Sequence, residues 1–130
     1  MARGSAPVSV LVVEDEVMIS NLVADCLTAS GFSVHEVTTA DAALRYIKSG
    51  ADIDVLFTDI NLPGSMNGIE LAKRARELRP EMPIVYASGR FKLSEISPLV
   101  PRSLFMSKPY DPEDVCALLT RLTCAGGVPA

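Results

Sequence analysis

The chain predicts an α/β protein, a parallel sheet with helices on both faces. Two observations carry this reading. Short continuous apolar runs, the pattern of strands buried on both sides, alternate with stretches of helical period. The apolar runs also end repeatedly in polar residues that could serve one site, as the strands of an α/β sheet do where they reach the rim.

Val8 to Val13 is apolar apart from Ser9 and is the first strand. Ile19, Leu22, Val23, Cys26 and Leu27 then follow the spacing of one helix face, and Gly31 supplies the stop. Phe32 to Val37 is the second strand. Thr38, with Asp41 three residues on, is a capping-box-like start for a helix whose inner stripe is Ala43, Leu44 and Ile47 and which Gly50 ends. Val55 to Thr58 is the third strand. A loop with Pro63, Gly64 and Gly68 leads to a helix carrying Leu71, Ala72, Ala75 and Leu78, stopped near Pro80. Ile84 to Ala87 and Leu104 to Met106 are the fourth and fifth strands. Between them only Lys92 to Ile96 reads as helical, for about one or two turns, before Pro98 and Pro101 cut it off. Asp111 caps the last helix, Pro112 takes its first position, and Glu113 and Asp114 sit at the positive dipole end. Val115, Leu118, Leu119 and Leu122 form its stripe.

Bulk properties bound the function. At 130 residues, 48% apolar and 22% charged, the chain is one globular domain with a real core. The expected organisation is a flexible leader over 1–7, the domain over 8–122 and a flexible tail over 123–130. No apolar stretch is long enough to cross a bilayer, and the leader lacks the apolar segment of a signal peptide. Cys26, Cys116 and Cys124 are odd in number and far apart, without a CxxC pair. That argues against structural zinc and a disulfide framework and fits a reducing cytoplasm. A net charge of −4 without a basic cluster argues against nucleic-acid binding. Lone His35 reads as a surface or edge residue, Cys26 as core, and the scattered methionines do not mark a binding groove.

The chemistry lies at the strand ends. Glu14-Asp15-Glu16 follows the first strand, Asp59 the third, Ser88-Gly89 the fourth and Ser107-Lys108-Pro109 the fifth. Each piece alone has an ordinary reading as a charged turn, a cap, a turn signal or a surface lysine. Together, acids, a hydroxyl and a lysine converging on one carboxylate suit a phosphoryl group and a divalent metal. Asp59 is the expected nucleophile. Glu14 and Asp15 beside it are unfavourable unless a cation is shared, and Mg²⁺ prefers such oxygens. Its expected ligands are Asp15 and Asp59 directly, Glu14 through water, and the backbone carbonyl of Asn61. Lys108 would pair with one phosphoryl oxygen and the Ser88 hydroxyl with another.

Over about Val8 to Leu122 the chain resembles a receiver domain of a two-component response regulator. The residues that carry the likeness are Val12-Val13-Glu14-Asp15-Glu16, Phe57-Thr58-Asp59-Ile60-Asn61-Leu62-Pro63, Ala87-Ser88-Gly89 and Ser107-Lys108-Pro109-Tyr110. The resemblance implies a flavodoxin-like (βα)5 doubly wound sheet of five parallel strands in the order 2-1-3-4-5, here with a short irregular fourth helix. It implies phosphoryl transfer from the phosphohistidine of a histidine kinase or histidine phosphotransferase to Asp59, with Mg²⁺. It also implies a switch in which Ser88 follows the phosphoryl group and Phe105 changes rotamer, and a cis Lys108–Pro109 bond. Output would pass to a protein partner through the helix 4–strand 5–helix 5 face, from a monomer or a weak phosphorylation-dependent dimer. Gly89 and Arg90 depart from the common pattern; Val85-Tyr86-Ala87-Ser88-Gly89 partly matches the Phe-Ala-Thr-Gly-Tyr subgroup of alphaproteobacterial single-domain regulators. Asn61 and Arg90 hold positions that tune dephosphorylation in relatives.

The leading expectation is therefore a stand-alone, non-enzymatic phosphoacceptor that controls a partner protein. A phosphate sink or relay, or a fragment of a larger protein, is the alternative within the family. A Mg²⁺-dependent aspartyl-phosphate phosphatase is the alternative outside it. Such enzymes place a second acid two residues after the nucleophile, where this chain has Asn61, which cannot transfer a proton.

Overall fold

The computed structural model describes residues 7–89 and 100–124. Five parallel strands, β1 (Ser9–Val13), β2 (Ser33–Val37), β3 (Val55–Asp59), β4 (Ile84–Ser88) and β5 (Ser103–Ser107), form one sheet in the order β2-β1-β3-β4-β5. The helices are α1 (Val17–Ala29), α2 (Ala40–Lys48), α3 (Gly68–Leu78) and α4 (Pro112–Cys124). The expected fold class and strand order are both present. The leader up to residue 6, the helical segment Lys92–Ile96 and the tail from residue 125 lie outside the described residues.

The alternation of side chains along each strand explains the continuous apolar runs. From β1, Val10 and Val12 enter one core with Val23 and Leu27 of α1 and Val115 and Leu119 of α4. Leu11 and Val13 enter the other, with Leu44 and Ile47 of α2 and Leu71 and Ala75 of α3. Both faces are covered, so neither parity can be polar. The edge strands are less covered, most clearly β2, where His35 and Glu36 are exposed and the His35 ring stacks on Tyr46 at 3.8 Å. That matches its expected place as an edge histidine.

Four local expectations are corrected. The cap of α2 is Thr39, whose hydroxyl accepts from the Ala42 N–H at 3.1 Å, not Thr38. Leu22 and Leu78, placed on inner stripes, are 58% and 44% exposed. Each lies at the margin of its stripe, past the edge of what the sheet covers. Cys26 is only partly buried, because it faces α4 and not the sheet-side core.

The loop from β3 to α3 is closely fitted. The Gly68 N–H donates to the Ile60 carbonyl at 2.8 Å. A Cβ on Gly68 would collide with the Asp59 carbonyl oxygen and lie 2.9 Å from the Ile60 Cα. These are backbone atoms of the strand end and cannot yield as a side chain would. Gly68→Ala is therefore expected to destabilise the fold by about 1–3 kcal/mol, read as a lower urea midpoint.

Candidate functional site

In this strand order, the chain leaves β1 toward β2 on one side and enters β3 on the other. The resulting crevice opens at the carboxyl ends of β1 and β3. There β1 delivers Glu14 and Asp15, and β3 delivers Asp59. The next strands add Ser88 and Lys108, whose backbone N–H donates to the Ser88 carbonyl at 3.0 Å. Five of the residues singled out from the sequence thus share one rim.

Lys108 ties the acids together. Its Nζ lies 3.1 Å from Glu14 Oε1 and 3.2 Å from Asp59 Oδ2. Glu14 is 2% exposed and Asp59 5%, so both carboxylates are held away from bulk water. Glu14 Oε2 also accepts from the Glu16 N–H at 3.1 Å, and the nearby Asn61 backbone N–H favours the charged form of Asp59. Asp15 is exposed, yet it brings a carboxylate oxygen within 4.8 Å of the others. Three carboxylates against one ammonium leave two formal negative charges, and all the donors are hard oxygens. That donor set fits a divalent cation such as Mg²⁺.

Burial raises the Asp59 pKa against the opposing pull of Lys108, and Asp15 adds to the rise. Burial likewise raises Glu14, opposed by the Glu16 N–H, with the Asp59 charge adding to the rise. Lys108 loses hydration on burial, but its bonds and charge contacts with Glu14 and Asp59 outweigh this and leave its pKa raised. One lysine does not offset the cost of these buried acids.

Ser88 is buried, and its Oγ accepts from the Asn61 side-chain amide at 3.3 Å. The sequence reading gave Asn61 a backbone carbonyl toward the metal and a position that tunes dephosphorylation in relatives, so this side-chain contact was missed. An amide two residues beyond the candidate nucleophile was the available signal. Phe105 is half-buried on β5, paired across the ladder with Tyr86. The Lys108–Pro109 bond is cis. Tyr110 lies edge-on to Phe57, with ring centroids 5.8 Å apart. Tyr110 titrates above its ordinary range through burial and the nearby charges of Glu14, Asp59 and Glu16. Arg90 lies outside the described residues.

These shifts predict a pH dependence. A carboxylate with a raised folded-state pKa binds its proton more tightly in the folded chain than in the unfolded one. The fold therefore gains stability as pH falls through that raised value toward the ordinary carboxylate range. Lys108 acts at the other end, and its contribution is lost as pH rises through its own raised value. In chelator, the urea midpoint should be higher at mildly acidic pH than at neutrality, and Asp59→Asn should flatten that rise.

A family model for the response regulator receiver domain matches residues 10–120. Sensory transduction protein RegX3 of Mycobacterium tuberculosis is 35% identical over 124 residues, 92% of this chain and 52% of that protein. Nitrogen assimilation regulatory protein NtrX of Azorhizobium caulinodans is 32% identical over 115 residues, 86% of this chain and 25% of that protein. The chain thus spans about half or less of the length of these relatives. A solved response regulator receiver protein from Sinorhizobium medicae superposes with a TM-score of 0.80 at 36% identity, covering 91% of this chain and 93% of that one. Chemotaxis response regulator CheY4 of Vibrio cholerae gives 0.79 at 26% identity, covering 89% and 98%. Receiver domains are phosphoacceptors rather than classical enzymes, bind Mg²⁺ at an acidic pocket and switch on phosphorylation. A family match over residues 10–120, together with this sheet and this rim, leaves one assignment: the chain belongs to the response regulator receiver domain family.

Proposed function

We propose that Asp59 accepts a phosphoryl group from the phosphohistidine of a histidine kinase or histidine phosphotransferase, and that the modified domain acts on a downstream protein. The observation that carries the reading is the Lys108 bridge to Glu14 and Asp59, with Asp15 beside them. It holds a nucleophilic carboxylate at a strand end among groups suited to a phosphoryl group and a divalent cation.

An Asp59 carboxylate oxygen attacks phosphorus in line with the donor nitrogen. The N–P bond breaks as the O–P bond forms, and the imidazole leaves with the bonding pair. Glu14, Asp15, Asp59 and the backbone carbonyl of Asn61 would hold Mg²⁺. When bound, the ion supplies charge neutralisation for the acids and the incoming phosphoryl oxygens. Lys108 exchanges its contact with Asp59 for a phosphoryl oxygen, keeping one charge-assisted bond to the site. Ser88 gives up the Asn61 amide and donates to another phosphoryl oxygen. Phe105 then changes rotamer, and β5 passes the change to the partner-binding face. Asn61 supplies no acid to hydrolyse the product, which favours a phosphoacceptor over a phosphatase.

Incubation with acetyl phosphate and Mg²⁺ should add one phosphoryl group by intact mass, and Asp59→Asn should lose it while keeping the fold. A phosphoryl adduct retained in Asp59→Asn would move the site elsewhere. Chelating Mg²⁺ should reduce the adduct by at least tenfold, the effect of roughly 1.4 kcal/mol in the barrier. Lys108→Ala should lower its yield without abolishing metal binding.

A further inference from the structure

Cys26 and Cys116 stand on α1 and α4, neighbouring helices on the same face of the sheet. The Cys116 thiol donates to the Ser30 hydroxyl at 2.9 Å. Ser30 closes α1 with its N–H still bonded to the Cys26 carbonyl at 3.2 Å, so its side chain sits one turn beyond Cys26 on the same side of the helix. Cys116 therefore reaches the turn of α1 that carries Cys26. The Cys26 thiol is pushed upward in pKa by burial and then by the nearby Cys116. Both thiols are free and partly exposed, so a small oxidant can reach them.

We propose that Cys26 and Cys116 are an oxidative modification site, a dithiol that closes to an interhelical disulfide between α1 and α4. With hydrogen peroxide as oxidant, one thiolate attacks a peroxide oxygen. The O–O bond breaks, hydroxide leaves and takes up the proton that the thiol gave up, forming water, and a sulfenic acid remains. The second sulfur attacks the sulfenic sulfur, the S–O bond breaks and another water leaves. Two thiols and one hydrogen peroxide thus become one disulfide and two waters. A small thiol reverses it by exchange. The bond joins the helices that begin beside Glu14 and Lys108, so it ties together the two sides of the rim without touching Asp59. In a reducing compartment it forms only under oxidant exposure.

The test is peptide mapping of the full chain after hydrogen peroxide and alkylation, folded and in urea. In the unfolded chain, loop closure favours Cys116 with Cys124, the pair nearer in sequence. The folded chain should instead give a Cys26–Cys116 cross-link. That cross-link should persist in Cys124→Ser and be absent in Cys26→Ser and Cys116→Ser. Oxidised Cys124→Ser should melt several degrees higher than its reduced form and return on adding dithiothreitol. A folded chain that yields Cys116–Cys124, only over-oxidised single thiols, or no thiol loss would overturn the proposal.

Discussion

One ammonium shared by two buried carboxylates is the contact on which the site depends. Lys108 bridges Glu14 and Asp59, residues that reach the rim from different strands. The bridge requires β1 and β3 to lie side by side, with β5 close enough to project a lysine across β4. The order 2-1-3-4-5 meets both conditions. The charges converge because the apolar strands beneath them pack on both faces of the sheet.

That convergence opposes stability. Burial raises the pKa of both Glu14 and Asp59, so the site costs free energy at neutral pH even with Lys108 in place. A site whose charges were already balanced would have little to gain from a cation or a phosphoryl group. Residual negative charge makes metal binding favourable, and the paired lysine is available for exchange. Gly68 shows a related constraint. The backbone of α3 lies so near the end of β3 that no side chain fits, which holds the loop after Asp59 close to the strand.

Helix-face readings failed at the margins. Leu22 and Leu78 have the right period but sit where the sheet no longer covers them, and period alone does not report the width of the covering layer. Thr39 took the cap from Thr38 because two adjacent threonines offer the same chemistry, and the register of the chain leaving β2 selects one. Cys26 was read as core from its stripe position. Its partner surface is another helix, which a one-dimensional pattern cannot identify.

The sequence by itself determined the fold class, the order of the described elements and the identity of the residues at the rim. These follow from local periodicity and from polar residues that end apolar runs. Only the tertiary structure decided that Lys108 spans Glu14 and Asp59 at once, that the Asn61 amide lies on Ser88, that Gly68 admits no side chain, and that Cys116 meets α1. Each of these depends on distances between segments remote in sequence. Such distances are set by how the strands and helices pack, which no local pattern encodes.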